Sequence, residues 1–234
     1  MTHDLKTPIL WACAVAIMSA GPASPADDDG RYEMWEEPSH QLVFVEGPAR
    51  VLDVRIVPGA TSEFHKHRFA TLYVIIQDAL VANQVWETEW SASGPREYRR
   101  PGATADMSGY VEKPFYHRVR NEDDRTFHVV AVINERVASQ LPSGSSAGDE
   151  IDNRWFREHR VGVAPGSRSR VFSFANDAVL VQYAAGSSHI VENGTRHGFK
   201  TAPGAFSWHP AGSEFVVVNS GDSDMEFVLT EIKK

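Results

Sequence analysis

His65 and His67 stand two residues apart in an apolar, β-branched neighbourhood. On a strand, residues i and i+2 point to the same face, so both imidazoles can reach one ion. His117 follows about fifty residues later in the run Pro114-Phe-Tyr-His-Arg-Val-Arg-Asn121, which also reads as a strand. Three converging imidazoles make an open metal site with positions left for water or substrate. Glu63 shares the face of His65 on a regular strand, as do Phe69 and Thr71, and its carboxylate offers a fourth ligand or a catalytic base. Tyr73 and Tyr116 offer phenolic hydrogen bonds to a bound anion, which makes Tyr73 a candidate catalytic residue. Plainer readings stand beside these: core histidines bonded to one another, a solvent-facing Glu63, and tyrosines that only pack.

Such residues need strands to hold them. Short apolar, β-branched runs occur at 42–45, 51–57, 72–76, 129–133, 179–183, 215–218 and 227–232, separated by Pro, Gly, Asn and Asp. That spacing predicts an all-β sandwich or barrel. A short helix is expected over 150–158. Trp86, Glu87, Glu89 and Trp90 alternate as on a strand, at a dimer edge or a pocket wall. The Ser- and Gly-rich stretch 140–149 reads as a linker. The expected division is a first barrel at 27–139 with the metal site, a linker at 140–160, and a second barrel at 161–234. The halves resemble each other. Val57-Pro58-Gly59 and Ala164-Pro165-Gly166 each open a segment leading to a strand, and Asn121 and Asn219 each precede a polar turn and a final strand. Duplication of one unit explains this economically.

The N-terminus has Lys6, an apolar run at 8–20, small residues at 21–26 and acidic residues at 27–29. This predicts a signal peptide over 1–26, cleaved near Ala23 or Ala26, and a periplasmic or secreted product with no membrane attachment after cleavage. Cys13, the sole cysteine, would leave with it. Any metal site then uses nitrogen and oxygen ligands, which excludes cysteine-type structural zinc. The net charge of −8 argues against nucleic acid as a partner.

These residues resemble the cupin superfamily, whose motifs run G-x5-H-x-H-x3,4-E-x6-G and G-x5-P-x-G-x2-H-x3-N. Gly59, His65 and His67 fit the first, while His117 and Asn121 fit the end of the second, with Pro114 nearby in a shortened turn. The resemblance implies two cupin-type barrels of the double-stranded β-helix, or jelly-roll, kind. It implies His65, His67 and His117 as ligands of one divalent transition metal: iron, manganese, nickel or zinc. Thr71 or Leu72 stands where the family has a glutamate ligand; some cupin dioxygenases bind iron through three histidines alone. In the second half, Gly204, Pro210, Gly212 and Asn219 keep the spacing, but Phe172, Phe174 and Phe215 occupy the three ligand positions. This second barrel is expected to be degenerate and structural. The implied activity is a metal-dependent dioxygenase, isomerase or hydrolase acting on a small oxygen-rich molecule. The alternative is a non-catalytic ligand-binding or structural module, with a homodimer as the family's common assembly. His128 is expected to be structural or surface, and His189, His197 and His209 to lie in exposed loops. The segment 96–100 would either draw anions to the barrel mouth or form a solvated hairpin face.

Overall fold

The computed structural model describes residues 31–92, 97–136, 151–198 and 202–234. The expected signal peptide and the stretch 140–149 lie outside them. The first half contains β1 (Tyr32–Glu33), β2 (His40–Glu46), β3 (Ala49–Ile56), β4 (His65–His67), β5 (Ala70–Gln77), β6 (Val81–Val85), β7 (Thr104–Asp106), β8 (Phe115–Asn121) and β9 (Phe127–Asn134). The second contains β10 (Phe156–Val163), β11 (Asp177–Gln182), β12 (Ser188–Glu192), β13 (Thr195–Gly198), β14 (Phe206–His209), β15 (Phe215–Asn219) and β16 (Met225–Ile232).

Each half closes two sheets over its own core. The first pairs β2-β3-β9-β5-β7 with β1-β4-β8-β6, and the second pairs β10-β16-β11-β14 with β13-β12-β15. Every expected apolar run falls on a strand, save that Val57 and Tyr183 lie one residue past β3 and β11. Residue alternation explains why 129–133 is apolar throughout. Val129, Ala131 and Ile133 turn into the first barrel with Leu52, Val54 and Ile75. Val130 and Val132 turn the other way and join Val51, Leu72, Val74 and, from the second half, Phe156, Val179, Val181 and Val228. A sheet covered on both faces has no polar face to spare. Each fully buried side chain of this kind contributes about 1.5–3 kcal/mol relative to exposure. Buried Asn134 reinforces the seam by donating to the carbonyls of Trp155 and Lys233.

The likeness between halves reaches single bonds. Gly59 and Gly166 take φ of 75° and 65°, and the amides of Ala60 and Ser167 donate to the carbonyls of Val57 and Ala164. Proline then glycine at positive φ is the pattern of a type II turn. Asn121 Nδ2 donates to Ile56 O and Arg125 O while Oδ1 accepts from Asp123 N. Asn219 Nδ2 donates to Val163 O and Ser223 O while Oδ1 accepts from Gly221 N.

Several expectations are corrected. Residues 150–158 hold no helix among those described: Trp155 and Phe156 are buried in the seam, and β10 pairs with β16 from Phe156 onward. Pairing across the sheet overrides local propensity there, and it carries strand into the 140–160 stretch. Trp86 and Trp90 do not share a strand. β6 stops at Val85 and Glu87 takes φ of 62°, so the chain turns back and Trp90 bridges to Gln84. His189 and His197 sit on β12 and β13, half-buried, and His209 is buried on β14. His128 is buried on β9 and bonds Asp53 at 2.7 Å. No helix among the described residues is long and apolar enough to cross a membrane.

Candidate metal centre

β4 and β8 lie side by side with His65 opposite His117. Alternation puts His65 and His67 on the inner face of β4, and Phe115, His117, Val119 and Asn121 on that of β8. The three imidazoles are 1%, 4% and 8% exposed. One ring nitrogen from each lies within 4.8 Å of the other two, so the cluster can hold a metal ion. Glu63 is not part of it. Its side chain is exposed, because β4 begins only at His65 and the chain ahead of it is not a regular strand.

The backs of the rings decide which nitrogens converge. His65 Nδ1 donates to the Glu63 carbonyl at 2.8 Å. His117 Nδ1 donates to Asn83 Oδ1 at 3.0 Å. His67 Nδ1 lies 3.2 Å from the Tyr73 hydroxyl, which also approaches Met34 Sδ at 3.7 Å. With Nδ1 carrying the proton on His65 and His117, their Nε2 atoms keep lone pairs for a ligand. His67 Nε2 and His117 Nε2 stand 2.8 Å apart. At that separation both nitrogens can bind one ion, so the donor set fits a metal ion.

Burial and the neighbouring imidazoles hold His65 and His67 well below the ordinary histidine value; His117 is brought down to about 3, chiefly by burial. All three are neutral at pH 7, the form that ligates. Tyr73 thus lies behind His67, and burial raises its phenol well above the ordinary range. Tyr116 points to the opposite face of β8, under the Arg31 guanidinium. That outer face carries an arginine–aromatic layer in which Arg118 covers Phe64 and Trp90, and Arg120 covers Trp90. Thr71 is inward and buried, but its hydroxyl donates to the Phe69 carbonyl at 3.0 Å. With Met34, Trp35, Phe69 and Ile133 it lines a crevice beside His67 too narrow for a water molecule. Of the 96–100 segment, Arg99 is paired with buried Asp78.

Four residues around the trio carried no motif. Asn83 lies in a short β-branched run, where an asparagine is unusual and was the one available signal. Phe115 and Tyr110 cover His117 and His67, with ring centroids 4.6 and 4.9 Å away. The segment before β2 brings buried His40 to 4.5 Å from His65. Glu37 secures that segment by accepting from the amides of Ser39 and Glu63.

In the second barrel Phe172 bridges to Phe215, the same cross-strand register as His65 and His117. Phe172 and Phe215 are buried with ring centroids 5.4 Å apart. Apolar rings therefore fill the place where the first barrel has imidazoles.

No family model and no curated protein matches the chain. Solved structures do. AerE from Microcystis aeruginosa is 12% identical over 85% of this chain and 99% of its own, with a TM-score of 0.59. Salicylate 1,2-dioxygenase from Pseudoaminobacter salicylatoxidans, solved as adducts with gentisate, is 9% identical over 90% of this chain and 75% of its own, with a TM-score of 0.55. Oxalate decarboxylase from Bacillus subtilis, studied for its Mn(II) centres, is 12% identical over 80% of this chain and 69% of its own, with a TM-score of 0.52. At such identities the likeness speaks to fold alone. Taken with the repeated turns, the paired sheets and the matched registers of the two halves, it shows a chain built on the cupin fold.

Proposed function

We propose that this chain is an exported metalloprotein that holds one divalent transition metal on His65, His67 and His117 and acts on a small oxygen-rich molecule. Oxygenolytic cleavage is the reaction the site suits best, ahead of isomerisation or hydrolysis. The reading rests on one observation: each Nδ1 has its own partner, and the three buried imidazoles bring ring nitrogens within 4.8 Å of one another. Iron, manganese, nickel and zinc all accept imidazole nitrogen. Such an ion supplies Lewis acidity or activates dioxygen.

The remaining residues limit what can bind. Three neutral imidazoles leave the double charge of the ion uncompensated in a buried place, which costs free energy until an anion arrives. No carboxylate joins the cluster among the described residues, so the ligand itself must bring the negative charge. A small carboxylate or enolate meets that need. Salicylate, gentisate and oxalate, named for the similar structures, are carboxylates too. Phe115, Phe69, Met34 and Ile133 would pack against an apolar part of the molecule and exclude water. Export rests on the segment 1–26 and would place the site in the periplasm or outside the cell. The second barrel is read as a metal-free support for the first.

The same lack of a carboxylate favours a second reading, a binding module without turnover, because among the described residues no carboxylate joins the cluster to serve as a general base. Metal content and dioxygen uptake separate the two. The mature chain from its natural compartment should carry about one transition-metal ion. His65→Ala with His67→Ala should empty it while leaving the β-sheet circular dichroism intact. A wild type that stays metal-free after dialysis against each of the four ions ends the proposal. A loaded chain that consumes no dioxygen with any small carboxylate supports the binding module.

A further inference from the structure

The second barrel contains a polar cluster that the metal centre does not use. β14 pairs with β11 so that Ser207 lies opposite Leu180 and His209 opposite Ala178. Leu180 and Ala178 belong to the interior of the second barrel, so Ser207 and His209 face inward beside them. Ser207 Oγ lies 2.8 Å from His209 Nε2. His209 Nδ1 lies 3.1 Å from Glu192 Oε1, which β12 brings across the barrel. His209 and Glu192 are only 1% and 3% exposed, whereas Ser207 is half-buried at the open end of the row.

The order of these groups has chemical consequences. A carboxylate accepts, so Nδ1 carries the imidazole proton and Nε2 presents its lone pair to the serine hydroxyl. The ring lies flat on Phe215, with centroids 3.5 Å apart and planes 9° apart, so it cannot swing away. Burial lowers the histidine below its ordinary value although Glu192 opposes this, and the ring is a free base at neutral pH. Nucleophile, base and orienting carboxylate within hydrogen-bond reach are the arrangement of acyl transfer. β14 ends its sheet among the described residues.

We propose that Ser207, His209 and Glu192 form a second, metal-independent site that hydrolyses small esters with an apolar acyl group. Ser207 Oγ forms a bond to the ester carbonyl carbon while its proton passes to His209 Nε2. The carbon–oxygen bond to the alcohol breaks, and the leaving oxygen takes that proton. Water then attacks the acyl-serine through the same base, releasing a carboxylic acid and restoring the hydroxyl. Glu192 only holds the ring and balances its transient charge. Phe215, stacked on the ring, and Phe172 packed behind it give the site its apolar surroundings.

The test uses the full chain in excess chelator, which removes any contribution from the first barrel. Exposure to an alkyl fluorophosphonate should add one phosphonyl group per chain by intact mass, mapped to Ser207. Ser207→Ala should abolish the adduct with no change in the unfolding curve. Glu192→Gln keeps the shape and removes the charge, so labelling and p-nitrophenyl butyrate hydrolysis should both slow by about 100-fold or more. An unlabelled folded wild type overturns the proposal. So does an adduct that persists in Ser207→Ala, or a Glu192→Gln variant that reacts as fast as wild type.

Discussion

At single residues, the proposed metal centre depends on what stands behind each imidazole. Tyr73→Phe and Asn83→Ala remove the partners of His67 and His117 without touching a ligand. Each should weaken metal binding by about 10–100-fold, read by competition with a chromophoric chelator. Protonation gives a second expectation. The folded values lie below the ordinary 6.5, with His117 near 3. The unfolded chain therefore binds more protons in the window between about 3 and 6.5, and stability falls as pH drops through it. Each histidine kept neutral contributes a slope of about 1.4 kcal/mol per pH unit. Urea unfolding of the metal-free chain at pH 7, 6 and 5 should show this loss, and His65→Gln with His67→Gln should show a shallower one. That His65 and His67 would share a face was legible because residues i and i+2 on a strand point the same way. Tyr73 was misplaced because its role depends on a contact with Met34, which lies far away in sequence.

Among elements, the two asparagines are structural pins. Asn121 and Asn219 each tie a strand end to two carbonyls and one amide. Replacing either with alanine leaves buried carbonyls without donors and should cost about 2–4 kcal/mol. The sites lie in different barrels, so the double variant should show the sum of the two losses in denaturant melts. Both asparagines and both proline–glycine turns were visible as spacing, since turn chemistry is local. The helix expected at 150–158 failed for the opposite reason: the polar residues around Trp155 and Phe156 suit a helix, and only pairing with β16 reveals a strand.

For the whole molecule, the seam between barrels governs solubility. Val51, Leu72, Val74, Val130 and Val132 are covered by Phe156, Val179, Val181 and Val228. Close backbone approach helps: a Cβ on Gly204, at φ of 89°, would come within 2.7 Å of the His128 ring. A fragment ending at Arg136 would expose the first half of the seam as one apolar patch. It should self-associate in size-exclusion chromatography, while the full chain should not do so through this face.

Local chemistry in the chain was enough to specify short strands, duplicated turns and the types of atom offered to a metal. These depend on neighbours a few residues away, and alternation carries that information without any knowledge of the fold. Burial on the second face of a sheet, the acceptor behind each ring and the company kept by His209 arise between segments that are distant along the chain. Three-dimensional packing alone settled them, because such contacts leave no period or spacing in the sequence.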